Sequence, residues 1–309
     1  MIPSSPSVAI IILNFNKRAD VLEAINSALA VEYPHVYVVV VDNASTDGSW
    51  EAIADTYQDL STIRMPTNVG AAGGRNAGWR YVNKHFQTEY LFFLDDDAVI
   101  APDAIECFMH AIQHDQTVGI ACGKSYTRFP STTINSAGIR VNMYTGIIND
   151  IGAGEEDRKQ YNESRYVDAC GCFGLLIRAT LFERLNGFNE MFNPYGWEDV
   201  DLCLRSKRLG YKTRYVPTAV IHHKGTKVGR KPLPKYEQTK ARNYLYLIRD
   251  HATVIQLVCI GLCFPFRLLA LMAKLIRHGD AHILASHARG AWHAILMPNK
   301  SDPFSKEIQ

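Results

Sequence analysis

Three short, almost wholly apolar runs, each closing on polar residues, constrain this chain more than any other feature. They are Val8–Leu13, Tyr37–Val41 ending at Asp42, and Tyr90–Leu94 ending at Asp95. Runs so short and so uniformly apolar read as strands buried on both faces, as in parallel sheets. Helical spacing fills the gaps between them. Val21, Leu22, Ile25, Ala28 and Leu29 recur within Asp20–Ala30, followed by Ser45–Gln58 with Ser45 or Thr46 as N-cap, and then by Arg75–His85. Alternating strand and helix predicts an α/β fold with a mostly parallel sheet flanked by helices. Ligands of such sheets bind beyond the carboxyl ends of the strands. Polar residues gather there: Asn14 and Asn16, Asp42 and Asn43, and Asp95–Asp97.

Beyond these runs, 124–168 reads as loops and edge strands, and Val167–Ile177 resumes a buried pattern. A short helix over Leu181–Leu185, a helix over Glu198–Leu209 and a last strand over Tyr215–Ile221 follow. Gly225–Pro234 is a basic Gly/Pro linker, which predicts two parts, 1–225 and 226–309. The second part holds a helix through Arg249 and the apolar stretch Val254–Ile276, interrupted by Gln256, Pro265, Arg267 and Lys274. Its uncharged run is about half the ~20 residues of a spanning helix. The expectation is a helix lying in a membrane surface, or a re-entrant hairpin around Pro265. A soluble helix pair packed on the core is the alternative.

Charge separates along the chain. Residues 1–204 carry 14 Lys and Arg against 26 Asp and Glu, a net of −12, while residues 205–309 carry 19 against 5, a net of +14. A basic rear half suits an anionic membrane or nucleic acid, but the tail lacks the regularly interleaved aromatics of a nucleic-acid platform, so no nucleic acid is expected. Met1–Ser7 has no basic n-region, and Val8–Leu13 is too short for a signal-peptide core. The seven cysteines are scattered and odd in number, which argues against a disulfide framework and for a reducing compartment. Cys170 and Cys172 read as buried thiols rather than zinc ligands.

Asp95-Asp96-Asp97, directly after YLFFL, is the strongest chemical signal. Three adjacent carboxylates repel one another and need positive compensation. Hard oxygen ligands at a strand end favour Mg²⁺ or Mn²⁺, ions that also hold a diphosphate; a solvated acidic turn is the bland alternative. Asp42, with Asn43 beside it, can accept from ribose hydroxyls or a base N–H. The glycine-rich run from Asn68 through Gly70 and Arg75 to Gly78 opens a helix. Its backbone can approach a phosphate, and Arg75 adds a charge-assisted contact. In Trp197-Glu198-Asp199-Val200-Asp201, acids begin a helix beside a ring able to stack on a sugar, which suits a general base. His222 and His223 close the last strand, where a neutral imidazole can ligate a metal.

Taken in order, VAIIILNFN, VVVVDNASTDGS, NVGAAGGRNAG, FLDDD, GFNEMFNPYGWEDVDLCLR and HHKGT resemble family 2-type inverting glycosyltransferases of the GT-A fold, the rhamnosyl- and galactofuranosyltransferase-like group in particular. The resemblance runs from Val8 to about Gly225. It implies that Asn14, Asn16, Asp42, Asn43, Asn68, Gly70, Arg75, Asp95, Asp96 and Trp197 surround a nucleotide-sugar donor. Asp97, Asp95 and His223 would hold Mg²⁺ or Mn²⁺, with His222 as the neighbouring possibility. Asp199 would be the base, beside Glu198. It implies dTDP-rhamnose or a UDP-sugar as donor, a glycan or lipid-linked acceptor, and work at the inner face of the cell membrane in surface polysaccharide synthesis. A nucleotidyltransferase would need a Gly-rich loop after the first strand, where Asn14-Phe-Asn16-Lys17-Arg18 has no glycine. A non-catalytic carbohydrate- or nucleic-acid-binding protein would need neither the Asp triplet nor Glu198-Asp199.

Overall fold

The computed structural model describes residues 5–127, 130–225 and 233–296. The first part contains β1 (Val8–Asn14), α1 (Arg18–Leu29), β2 (Val36–Asp42), α2 (Ser49–Thr56), β3 (Ser61–Arg64), α3 (Gly70–His85), β4 (Tyr90–Asp95), β5 (Ala98–Ile100) and α4 (Ala104–Ile112). Then come β6 (Val118–Tyr126), β7 (Ile134–Ser136), β8 (Ile139–Asn142), β9 (Ile147–Asp150), β10 (Arg165–Val167) and β11 (Leu175–Arg178). α5 (Ala179–Arg184), α6 (Glu198–Arg208) and β12 (Lys212–His223) complete the sheet region, and α7 (Pro234–His251), α8 (Val254–Arg277) and α9 (Ile283–Leu296) follow.

The main sheet runs β10-β12-β6-β11-β4-β1-β2-β3, with β5 on β12 and β7 on β6. β3, β2, β1 and β4 are parallel, as the apolar runs require. β11 enters antiparallel between β4 and β6, and β10 and β5 pair antiparallel with β12. β12 pairs parallel with β6, so β3, β2, β1, β4, β6 and β12 all point one way and the sheet is mostly parallel with antiparallel insertions. Both faces are covered, since alternate side chains of one strand feed two apolar layers. Ala9, Ile11, Val39 and Phe93 lie in one layer, and Ile10, Ile12, Val40 and Phe92 in the other.

Register fixes the site. Leu13 pairs with Asp95 and Asn14 with Asp42, so the polar ends of β1, β2 and β4 lie side by side. α3 presses on this edge closely: a Cβ on Gly78 would sit 2.6 Å from Ile11 Cγ2. That glycine serves helix-to-sheet packing rather than a phosphate. α2 begins later than its sequence suggests, behind Gly48 in a left-handed conformation. Ser45 does not cap it, because the Ser45 hydroxyl accepts instead from Asn14 Nδ2 at 3.1 Å and from the Asn16 amide at 3.0 Å.

The expected linker falls largely on 226–232, outside the described residues. α7 does not stand apart from the sheet domain. Asn243 Nδ2 donates to the carbonyls of Phe192 at 2.6 Å and Tyr195 at 2.9 Å, and His251 Nε2 lies 2.8 Å from Asp201 Oδ1. α9 covers α7 with Ile283, Ser286, Gly290 and Ala294 buried. α8 is one continuous helix with Pro265 inside it, so the hairpin expectation is corrected. An interior proline removes one hydrogen bond and kinks a helix but does not reverse it. The 24 residues of α8 span about 36 Å, long and apolar enough by length and composition to cross a membrane. Its side chains are largely exposed, Leu262 at 71% and Phe266 at 75% among them. Arg267 turns inward, donating to Thr145 O and Tyr244 Oη at 2.9 Å each, and Leu275 is buried near the end of the helix.

Candidate functional site

The carboxyl ends of the central strands open into a cleft of about 430 Å³. Its walls include Asn43, Asn68, Gly70, Arg75, Asp95, Asp96, Asp97, Trp197, Glu198, Asp199 and His223, drawn from five separate stretches of chain. Asn14, Asn16 and Asp42 are not among its lining residues. Asn14 and Asp42 are buried beneath it, joined by an Asn14 Nδ2 to Asp42 Oδ1 hydrogen bond of 2.8 Å. The other Asp42 oxygen accepts from the Ser45 amide at 3.0 Å, and Asn16 caps the Thr46 amide at 2.8 Å. These three residues brace the strand ends through the hydrogen bonds named, while Asn14 Oδ1 is buried without a hydrogen bond.

Asn43 and Asn68 form the wall above this brace. Asn43 Nδ2 donates to Asn68 Oδ1 at 2.9 Å, and Asn68 Oδ1 also accepts from the Gly70 amide at 2.9 Å. The expectation that the start of α3 offers open amides to a phosphate is corrected. The Ala71 amide donates to Pro194 O at 2.7 Å and the Ala72 amide to Asn193 Oδ1 at 3.1 Å. Gly70 and Ala71 remain in the cleft wall.

The Asp triplet divides its labour by geometry. Asp95, Asp97 and His223 bring ligand atoms within 4.8 Å of one another. His223 Nε2 stands 3.1 Å from Asp97 Oδ1 and 3.7 Å from Asp95 Oδ2. Alternation along β12 resolves the choice of histidine: His223 faces the triplet, and its ring stacks on Phe173 at 4.7 Å, whereas His222 stacks on Tyr126 at 5.5 Å. Asp96 points back to the strand ends, accepting from the Phe15 amide at 2.9 Å. Burial pushes its carboxyl up to about 7 against the opposing charge of Lys17. Burial would raise Asp97 too, but the hydrogen bond and charge of His223, and then Lys17, hold it well below the usual carboxylate range.

The compensation demanded by three adjacent acids comes from two basic residues. Lys17 Nζ binds Asp97 and lies 3.4 Å from Asp96 Oδ1. Arg75 is buried and bridges two elements, with Nη2 at 2.7 Å from Asp95 Oδ1 and Nη1 at 3.0 Å from Glu198 Oε1. These carboxylates keep the Arg75 guanidinium firmly charged although burial opposes it. Arg75 thus holds protein carboxylates, where sequence had assigned it to the diphosphate. Glu198 begins α6 with one oxygen on Arg75 and Oε2 buried without a hydrogen bond. Asp199 follows it on the cleft wall, half-buried, with Oδ1 accepting from the Val200 amide at 2.8 Å.

The residues fit a divalent cation. Two carboxylates and an imidazole suit Mn²⁺ or Mg²⁺. The space beside them stays open because residue 225 has no side chain: a Cβ there would lie 2.3 Å from Asp97 Oδ2.

Sequence reasoning missed Lys17, Asn193, Phe173, Tyr236 and Lys240. Lys17 carried a signal, since it lies just past the first strand end and the triplet needed a cation. Tyr236 and Lys240 line the cleft from α7, and no motif marks them.

Comparison with known proteins identifies the family and the fold. Residues 9–182 match the profile described as glycosyl transferase family 2, and residues 157–227 match one described as the N-terminal domain of galactosyltransferase. An N-acetylglucosaminyl-diphospho-decaprenol L-rhamnosyltransferase of Mycobacterium tuberculosis is 25% identical over 245 residues, 73% of this chain and 78% of that protein. The O-antigen biosynthesis protein RfbC of Myxococcus xanthus is 28% identical over 239 residues, 71% of this chain but only 17% of that protein. Among solved structures, GalNAc-T7 with UDP, GalNAc and Mn²⁺ superposes with a TM-score of 0.62 at 14% identity, over 80% of this chain and 48% of that one. The chain thus spans about half the length of that structure. The mannosyltransferase PcManGT from Pyrobaculum calidifontis, in complex with GDP-Man and Mn²⁺, gives a TM-score of 0.55 at 19% identity over 99% of this chain and 79% of that one. At such identities these two likenesses establish a shared fold.

Proposed function

The chain belongs to glycosyl transferase family 2, and from that premise we propose that it transfers a sugar, with inversion, from a nucleotide diphosphate to an acceptor hydroxyl. The observation that carries this reading is the convergence of Asp95, Asp97 and His223 in one cleft with Asp199. Asn43, Asn68 and Gly70 face the nucleotide end, with Asn14, Asn16 and Asp42 bracing it from below. Asp95, Asp97 and His223 hold Mn²⁺ or Mg²⁺, which when bound neutralises charge on the diphosphate. Lys17 adds a positive charge beside that group, and Asp96 fixes the Phe15 backbone against the donor.

Asp199 takes the proton of the acceptor hydroxyl as its oxygen bonds to the anomeric carbon. The bond from that carbon to the diphosphate breaks on the opposite face, and the diphosphate leaves with the electron pair. Glu198, held by Arg75, positions the first turn of α6 and therefore Asp199. Trp197 offers its ring beside the reacting sugars.

The donor and acceptor proposed are dTDP-rhamnose or a UDP-sugar, and a glycan or lipid-linked N-acetylglucosamine, as the similarity to the rhamnosyltransferase suggests. The exposed apolar surface of α8 and the basic charge of the rear half support work at the inner membrane face in polysaccharide synthesis. Residues 1–225 are proposed as the nucleotide-sugar and catalytic unit, with 226–309 completing the cleft through α7 and meeting the membrane through α8.

A thermal-shift screen of the full-length protein against nucleotide sugars, with and without Mn²⁺, tests the reading. A metal-dependent rise with one nucleotide sugar is expected. No stabilisation by any donor in either condition would refute it.

A further inference from the structure

Two successive residues ahead of α6 stand in the left-handed region, Gly196 at φ 95° and Trp197 at φ 77°. Glycine adopts it freely, but a bulky side chain rarely does. Such a conformation persists where the surroundings over-determine it. The next two residues are Glu198 and Asp199, so this turn sets how the carboxylates of α6 enter the cleft.

The turn is held from two sides. On the α3 side, the Ala71 amide donates to Pro194 O at 2.7 Å and the Ala72 amide to Asn193 Oδ1 at 3.1 Å. On the α7 side stands Asn243, fully buried. Its Nδ2 faces three carbonyls of the turn, those of Phe192 at 2.6 Å, Tyr195 at 2.9 Å and Gly196 at 3.2 Å. Its Oδ1 accepts from Arg242 Nε at 2.9 Å, and Arg242 Nη2 donates to Asn193 O. The guanidinium thereby orients the amide, with the oxygen toward Arg242 and both N–H groups toward the carbonyls. Trp197 Nε1 donates to Lys240 O one turn earlier on the same helix, at 2.9 Å. At the far end of α7, His251 Nε2 lies 2.8 Å from Asp201 Oδ1. The contacts of α7 therefore bracket Glu198 and Asp199, on the turn before them and on the helical turn they begin. Asn243 is not among the residues lining the cleft, so its influence runs through the turn.

We propose that Asn243 is a positioning residue: by gathering the carbonyls of Phe192, Tyr195 and Gly196 it shapes the turn that aims Asp199 at the acceptor hydroxyl. Catalytic competence then depends on α7, which lies outside 1–225. The role given to Asp199 rests on the glycosyltransferase reading; the clamp on the turn does not.

The full-length protein tests this with Asn243→Ala and Asn243→Ser, the second keeping one donor and serving where the first does not fold. Amide hydrogen exchange read by mass spectrometry follows the turn itself. In Asn243→Ala, peptides covering 190–204 and 70–76 are expected to exchange about tenfold faster, with β1 unchanged and Asn243→Ser in between. Steady-state transfer from dTDP-rhamnose to octyl N-acetylglucosaminyl diphosphate, with Mn²⁺, follows the consequence. Turnover is expected to fall about a hundredfold in Asn243→Ala and less in Asn243→Ser, while Mn²⁺-dependent binding of dTDP-rhamnose stays within about twofold of wild type. Wild-type exchange over 190–204 in the variants overturns the proposal. Faster exchange with wild-type turnover also overturns it, as does a parallel loss of donor affinity and turnover, which marks a general structural role. Wild-type protein that neither binds dTDP-rhamnose nor transfers from it counts against the glycosyltransferase reading with this donor. The exchange result then decides the clamp alone: faster exchange keeps it and unchanged exchange removes it.

Discussion

Arg75 on α3 donates a 3.0 Å hydrogen bond to Glu198 on α6, across 123 positions of sequence. The same guanidinium holds Asp95 at 2.7 Å, so one buried cation ties a carboxylate of the candidate metal site to the helix start that presents Asp199. The planar fork of arginine is what allows both contacts at once, and a lysine cannot reproduce it.

Arg75→Lys is accordingly expected to weaken Mn²⁺-dependent donor binding and lower turnover together. Arg75→Ala leaves Glu198 and Asp95 uncompensated, which costs about 3–5 kcal/mol where the charge stays buried. Chemical denaturation of both variants beside the wild type measures this. A wild-type melting curve for Arg75→Ala contradicts the bridging role.

Asp199→Asn keeps the shape of the cleft wall and removes the proposed base. Transfer is expected to fall by roughly two to four decades, with donor affinity unchanged. Steady-state rates and donor titration on one preparation check the two halves separately. Near-normal turnover removes Asp199 from the chemistry.

Asp96 gives a pH signature in chelator-treated protein. Burial raises its folded pKa to about 7, above the ordinary aspartate value of 3.8. As pH rises through that window the unfolded chain releases this proton first, so the contribution of Asp96 to stability is lost between about pH 4 and pH 7. The slope is at most about 1.4 kcal/mol per pH unit. Asp96→Asn is expected to flatten that part of the stability profile, and an unaltered slope argues against the buried carboxyl.

Leu262→Glu combined with Phe266→Glu places charges on the exposed surface of α8, where the native side chains are 71% and 75% exposed. Flotation with anionic liposomes is expected to be lost, and the melting temperature kept. Full flotation by the double variant removes α8 as the membrane contact.

Much of this arrangement was legible before any coordinates. The β1, β2 and β4 runs were visible because strands buried on both faces leave no polar alternation to confuse them. β6 was hidden because Gly119, Ala121 and Gly123 dilute its apolar signal, although it is buried nearly throughout. Strand direction carries no compositional mark, so the antiparallel entry of β11 between β4 and β6 could not be read. At the site, the need for a cation beside the Asp triplet was readable but its identity was not. Asn193, which caps α3, and Lys240, which walls the cleft, act through packing between distant segments, and neither sits in a recognisable motif. His222 and His223 were inseparable by sequence and were separated by which face of β12 each occupies.

The most direct test of the account is a Mn²⁺ titration of wild type and Asp97→Ala followed by electron paramagnetic resonance, with and without a nucleoside diphosphate. The account predicts one Mn²⁺ site in the wild type that tightens when the diphosphate is added, and loss of both the site and the tightening in Asp97→Ala. Equal Mn²⁺ binding by the two proteins would contradict it.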